Sequence, residues 1–363
     1  MRIGIFDPYL DSLSGGEKYV LAIAECLASK HEVVIFWDTQ QERGIKEKAK
    51  QKLGIDISSV VFAQNIFSKD VSFVSRINSS RKYDAIIYLS DGSIPFVLSR
   101  LYIHFQFPVE WVKRNYLNSL KLKKISAVFC NSSFTKGYID KKFRINSAVL
   151  YPPIYIPSLH KVRKENIILN VGRFGLNIDG SNYKKQDVLI RVFKSMVDND
   201  LKKWTLVLIV GLREENQDKL LELKKLSNGY PIHFIENPSN NLLWEYYHKS
   251  KIYWHASGFG EDLVKYPERA EHFGISTVEA MGLGSVPIVI NAGGQKEIIE
   301  DTKSGFLWNT VDELISNTDR LVHNERLFKQ ISQEAVRRSK IFSGNRFCRE
   351  LNNIIFNYKN EKA

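Results

Sequence analysis

The sequence predicts an α/β protein made of two successive doubly wound parallel sheets. Three observations carry this. Short apolar, β-branched-rich runs alternate with amphipathic stretches, as in a parallel sheet covered by helices. The alternation halts at "YPPIYIP" (151–157), where three prolines in seven residues resist helix and central strand alike, and then restarts. A chain of 363 residues is too long for one small domain and suits two. The expected division is a first domain over 1–153 and a second over 154–339, with a closing helix at about 340–363.

In order, "RIGIFD" (2–7) and "EVVIFW" (32–37) read as buried strands. Between them "GGEKYVLAIAECLASK" (15–30) places Val20, Ile23, Ala24 and Leu27 on one helical face. "YDAIIYLS" (83–90), "RLYIHFQ" (100–106) and "ISAVFCN" (125–131) continue the first sheet. After the proline segment, "NIILNVGRF" (166–174) is a strand and "QDVLIRVFKSMVD" (186–198) an amphipathic helix. "WTLVLIVG" (204–211), "IHFIEN" (232–237), "IYWHA" (252–256) and "VPIVIN" (286–291) supply further strands, and "KIFSGNRFCRELNNIIFNYKN" a polar-faced final helix. Ligands of open parallel sheets bind beyond the carboxyl ends of the strands. Two such sheets facing each other would form a cleft, where a ligand site is expected.

Composition is that of a soluble globular protein, with no low-complexity segment. The net charge is +12, and 101–150 alone holds nine basic against two acidic residues. Such a face suits an anionic partner, or is merely solvated lysine. In 110–129, basic residues (Lys113, Arg114, Lys121, Lys123, Lys124) interleaved with Trp111, Tyr116, Leu117 and Leu120 fit either an interfacial helix touching anionic lipid or an ordinary surface helix. Three dispersed cysteines, Cys26, Cys130 and Cys348, support neither a zinc site nor a disulfide framework, and point to a reducing cytosol. The N-terminus opens directly on a strand, and no run of 18 apolar residues exists, so neither export nor a membrane span is expected.

"EHFGISTVEA" (271–280) concentrates the chemistry. Ser276 and Glu279 have capping-box spacing at a helix start, after a turn at Gly274. That alone could account for Glu279. Glu271, in the preceding loop, cannot cap the same helix. The wider segment "PERAEHFGISTVEAMGLGSVPIVINAGGQKEIIEDTKSGFLW" resembles the donor-binding segment of retaining glycosyltransferases of family 4, with its E-x7-E motif, strand, G-G loop and terminal G-F-L. "NVGRF…YKKQDVLIRVF" and "CNSSFTKGYI…VLYPPIYIP" resemble further stretches of that family, so the likeness touches both domains and the linker.

The resemblance implies a GT-B fold: two facing Rossmann-like domains, the first acceptor-binding and the second binding a nucleotide sugar, with a C-terminal helix returning to the first. It implies that Glu279 holds ribose hydroxyls, that Glu271 sits beside the donor sugar, and that Arg173 and Lys184 neutralise the departing diphosphate. A carboxylate suits a vicinal diol, and fixed cations suit charge developing on a leaving phosphate. Lys185 is adjacent, and spacing alone does not decide which lysine points inward. By the same likeness Gly15, Gly16, Ser257, Gly258, Phe259, Phe273, Gly274, Ile275, Ser276, Gly293 and Gly294 line the donor. His104 is either a packing residue after a strand or a cleft histidine contacting the sugar.

The branch containing the dolichol-pathway α-1,2-mannosyltransferase looks closest. This favours GDP-mannose over UDP-sugars, a saccharide or lipid-linked saccharide acceptor, no metal and no nucleic acid. The expected setting is cytoplasmic, with any membrane contact peripheral. A sugar-nucleotide 2-epimerase of the same architecture and a non-catalytic binder of anionic surfaces are the alternatives.

Overall fold

The structure, a computed structural model, describes residues 1–10, 15–37, 42–109, 120–157, 162–177 and 179–357. It divides into two compact units, Met1–Pro153 together with the segment from Phe342 onward, and Ile154–Ile341.

The first unit is a seven-stranded parallel sheet. Its elements are β1 (Arg2–Phe6), α1 (Gly15–Ala28), β2 (Glu32–Phe36), α2 (Glu42–Lys48), β3 (Val61–Ala63), α3 (Phe73–Ser80), β4 (Ala85–Leu89), β5 (Arg100–Phe105), β6 (Ala127–Cys130), α4 (Ser133–Phe143) and β7 (Ala148–Val149). The strand order is β3-β2-β1-β4-β5-β6-β7. β4 and, from Ile3 on, β1 are buried apolar strands because helices cover both faces of a doubly wound sheet. One core cluster packs Val34, Phe36, Ile86, Ile103 and Phe105 against Ile139 and Phe143 of α4.

The second unit contains β8 (Glu165–Arg173), α5 (Gln186–Asp198), β9 (Thr205–Gly211), α6 (Gln217–Leu226), β10 (Ile232–Glu236), α7 (Asn240–Lys249), β11 (Ser250–His255), α8 (Ile275–Gly282), β12 (Val286–Ile290), α9 (Gln295–Ile298), β13 (Phe306–Trp308), α10 (Val311–His323) and α11 (Glu325–Ser339). Its strands are ordered β10-β9-β8-β11-β12-β13, all parallel. The core joins Leu189, Ile190 and Phe193 of α5 to Leu206, Leu208, Ile252, Trp254 and Ile288 of the sheet. Both sheets reverse direction of winding at one point, between β1 and β4 and between β8 and β11.

The chain closes on the first unit. α12 (Gly344–Asn352), capped by Ser343 Oγ, buries Phe347 and Leu351 there. Tyr102 Oη donates to Ile355 O at 2.6 Å, and Phe347 meets the ring of Tyr19 edge-on at 5.3 Å. Cys26 of α1 and Cys348 of α12 are disulfide-bonded, with Cα atoms 5.5 Å apart. This corrects the expectation of unpaired cysteines. Their 322-residue separation hides the pairing from any spacing rule, and the fold alone brings the two helices together. It also removes the ground on which a reducing compartment was expected. Cys130 is free and buried.

Of the 110–129 segment, residues 110–119 lie outside the described residues. At its end Leu120 is exposed, Leu122 packs on the first core, and Lys121 Nζ donates to Ile94 O at 2.8 Å. Among the described residues, no helix is long and apolar enough to cross a membrane.

Candidate functional site

In the second unit the chemically distinctive side chains gather beyond the carboxyl ends of β8, β11 and β12. β8 and β11 are neighbours from which the chain winds in opposite directions, so their ends flank a crevice. β8 stops at Arg173, whose exposed guanidinium has no ion-pair partner among the described residues. β11 stops at His255, which is almost fully buried.

Lys184, in the turn entering α5, lays its stem across Gly172; a Cβ there would sit 3.5 Å from Lys184 Cγ. Its Nζ donates to Glu271 Oε2 at 2.6 Å. His255 Nε2 lies 3.0 Å from the same oxygen. Burial pushes the Glu271 carboxyl up, but Lys184 and His255 more than offset this and hold it well below the usual carboxylate range. Glu271 is therefore an anion at neutral pH. Lys185, one residue on, takes a left-handed backbone at φ 54° and pairs with Glu261. Glu261 also accepts from Arg269 Nη1 at 2.7 Å, and the same nitrogen lies 2.8 Å from Asp179. The two lysines thus serve different carboxylates.

The backbone of Glu271 is fixed by the G-G loop. Gly294 N–H donates to Glu271 O at 2.8 Å. Gly293 has φ 58°, and a Cβ on it would stand 2.2 Å from that carbonyl; a Cβ on Gly294 would stand 2.5 Å from His272 O. The close approach that demands glycine here is made by the chain's own 271–272 backbone, a reason that the sequence did not reveal.

Glu271 leads through buried Phe273 to Gly274 and α8. The expected capping box does not form. Gly274, at φ 120°, turns the chain early, so α8 starts at Ile275 with no side-chain cap. Ser276 is already helical, and its Oγ accepts from Tyr253 Oη at 2.7 Å. Glu279 is buried, and its Oε2 accepts from Tyr247 Oη at 2.9 Å. An uncapped helix start offers backbone N–H groups and the positive end of the helix dipole to an anion. Ser257, Gly258 and Phe259 follow β11. Ser257 Oγ is buried with no hydrogen-bond partner among the described residues, Gly258 has φ 99°, and Phe259 tilts onto Trp308 at 5.0 Å.

Gly15, Gly16 and His104 belong to the first unit. Gly15 opens α1, and Gly16 O accepts from Gln106 Nε2 at 3.0 Å. His104 is wholly buried between the rings of Tyr19 and Phe129, at 4.4 and 4.6 Å, with Nδ1 3.1 Å from Phe129 O. Burial lowers its pKa to about 3, so it is neutral. The ring is packed as a core residue is, and its buried Nε2 has no hydrogen-bond partner among the described residues. The sequence reading missed His255 and Tyr247. Both lie in or beside the strand before the E-x7-E motif, and the signal was their order. Tyr247 and His255 are spaced as Glu271 and Glu279 are, and they pair with them in reverse, because β11 runs toward the site and α8 runs away from it.

Residues 153–338 match the family described as glycosyl transferases group 1. The chain belongs to that family. An uncharacterised glycosyltransferase of Haemophilus influenzae is 24% identical, covering 92% of this chain and 94% of its own. The α-1,3/1,6-mannosyltransferase ALG2 of Dictyostelium discoideum is 24% identical over 98% of both chains. A GDP-Man:Man(3)GlcNAc(2)-PP-Dol α-1,2-mannosyltransferase of Xenopus laevis is 26% identical over 54% of this chain, which spans only 41% of that protein. Among solved structures, Anabaena HepE in complex with UDP and glucose superposes with a TM-score of 0.72 at 16% identity, covering 99% of this chain and all of that one. A Rickettsia africae glycosyltransferase gives 0.71 at 18% identity, covering 98% and 99%. The fold of this group 1 transferase is accordingly GT-B, two Rossmann-like parallel-sheet domains.

Proposed function

We propose that this group 1 glycosyl transferase is a retaining enzyme of glycosyltransferase family 4 that moves a hexosyl unit from a nucleoside-diphosphate sugar to a saccharide or lipid-linked saccharide. The observation that carries the reading is the meeting of Lys184 and Glu271 beside the uncapped start of α8, at the winding switch of the family-matched unit. The donor's diphosphate is assigned to Arg173, Lys184 and the first amides of α8 at Ile275 and Ser276. Its ribose hydroxyls are assigned to Glu279, and its sugar to Glu271 and the 257–259 and 273–274 segments.

In this reading the bond between the anomeric carbon and the diphosphate oxygen breaks, and the cations stabilise the charge left on that oxygen. The acceptor hydroxyl attacks from the face the diphosphate leaves, and its proton passes to a leaving phosphate oxygen. The new glycosidic bond then keeps the donor's anomeric configuration. Charge neutralisation is assigned to side chains and not to a metal. Glu271 and Glu279 do not form a glycosidase pair, since Glu279 is committed to ribose.

GDP-mannose is the favoured donor because mannosyltransferases recur among the relatives. The setting proposed is peripheral contact at an anionic membrane through 110–129. The test is a thermal-shift and hydrolysis panel of GDP-mannose, UDP-glucose, UDP-GlcNAc and UDP-galactose. The expected result is stabilisation by about 2–4 kcal/mol for the true donor well above its Kd, with slow nucleoside-diphosphate release that Arg173→Ala abolishes. No shift and no release with any of the four would reject the reading.

A further inference from the structure

Glu271 has one oxygen doubly held and one free. Oε2 accepts from Lys184 and from His255, while Oε1 has no hydrogen-bond partner among the described residues. On the reading above, the first of these donors is temporary, because an arriving diphosphate takes Lys184. The second is built into the sheet. The backbone of His255 is pinned by its register with Val289 of β12, and its carbonyl accepts from buried Trp308 Nε1 at 3.2 Å. Its side chain is only 3% exposed, enclosed by its surroundings.

The hydrogen-bond network also fixes the tautomer. His255 Nδ1 is buried and has no hydrogen-bond partner among the described residues. A proton there would leave an N–H unsatisfied and set the Nε2 lone pair against the carboxylate. The proton therefore sits on Nε2 and is donated to Glu271. Burial lowers the pKa of the ring, although the Glu271 carboxylate opposes this, and the ring acts as a neutral donor. The titratable groups that act on the ring are Glu271, in the loop before α8, and Lys184, in the turn entering α5.

We propose that His255 is a positioning residue: it holds Glu271 Oε2 after the diphosphate has drawn Lys184 away, so that Oε1 stays aimed at the donor sugar. The inference rests on the proposed transferase function. It separates the two requirements of the site, since losing His255 leaves the nucleotide grip intact and disorders only the sugar-facing acid. A neutral donor suits the post better than a second cation, which would compete with the sugar for the charge of Glu271.

The experiment compares wild type, His255→Leu and His255→Gln. Glutamine can place an amide N–H where Nε2 stands; leucine cannot. Nucleotide affinity is read by calorimetry with GDP and UDP. Turnover is read as nucleoside diphosphate released from GDP-mannose and the three UDP-sugars at saturating donor, over pH 5–9. His255→Leu is expected to lose about 10–100-fold in turnover, the cost of removing a hydrogen bond to a charged group. Its nucleotide Kd should stay within about threefold of wild type, and its acid limb should move to higher pH because Glu271 has lost a donor. His255→Gln should recover most of the turnover. The proposal is overturned if His255→Leu turns over normally, if a folded His255→Gln is as poor as His255→Leu, or if turnover and nucleotide affinity fall together. A wild type that neither binds GDP or UDP nor releases either one overturns the transferase reading itself, and the role of His255 with it.

Discussion

Replacing Glu271 by Gln is expected to tighten nucleoside-diphosphate binding while abolishing sugar transfer. In the unliganded protein, Glu271 occupies Lys184 at 2.6 Å, with each side chain about one-fifth exposed. A diphosphate must displace that carboxylate and then tolerate it nearby. At an effective dielectric of about 20 the bare attraction in such a pair is about 6 kcal/mol, an upper bound. Desolvation and the replacement of one anion by another cancel most of this. A residue of about 1–2 kcal/mol corresponds to a Kd for GDP or UDP about 5–30-fold lower in Glu271→Gln. The amide still accepts from His255, so the loop should not collapse. Calorimetry at low and high salt is the assay, with the gain shrinking as salt rises. An unchanged or weaker nucleotide Kd in a folded Glu271→Gln protein would refute the reasoning, because Lys184 would then not be the diphosphate's cation.

Three further outcomes follow from other parts of the molecule. Tyr247→Phe removes the buried hydroxyl that Glu279 accepts from at 2.9 Å; nucleotide Kd measured by calorimetry should rise by about 5–30-fold, the worth of about 1–2 kcal/mol. Burial raises the Tyr247 phenol well above its ordinary value, so this loss should not vary across pH 6–9. His104 is held neutral to about pH 3, whereas in the unfolded chain it protonates near 6.5. The unfolded state therefore binds the proton first, and stability contributed by this group is full above about pH 6.5 and falls by about 1.4 kcal/mol per unit toward pH 3. Urea melts between pH 7 and 4 should show a shallower acid loss in His104→Phe. Reduction of Cys26–Cys348, or Cys348→Ser, should cost the first unit about 2–4 kcal/mol, read from denaturant melts with and without reductant.

The long central strands were legible because their apolar runs are unbroken: 204–211 and 286–291 correspond to β9 and β12. The edge strands β3, β7 and β13 were not, being three, two and three residues long, too short for any period to register. In the site, spacing identified the two glutamates and the two lysines but could not tell what each faces. Lys184 and Lys185 look alike in sequence, and they part only because Lys185 adopts a left-handed backbone. The capping box failed for a related reason: Gly274 has the freedom to take the N-cap position two residues before Ser276, so the helix starts at Ile275. His255 and Tyr247 offered only an eight-residue spacing that matches Glu271 and Glu279; their partners are 16 and 32 residues away, and the opposed directions of β11 and α8 bring the pairs together. The disulfide is the extreme case, since closing it requires the whole fold.

The most direct measurement is calorimetric titration of the intact chain with GDP and with UDP, alongside Lys184→Ala and Arg173→Ala. The account predicts saturable one-site binding of at least one of them by wild type, and a Kd raised at least about tenfold in each variant, the worth of about 1.4 kcal/mol. Binding by wild type that survives both substitutions, or no binding of either nucleotide, would contradict it.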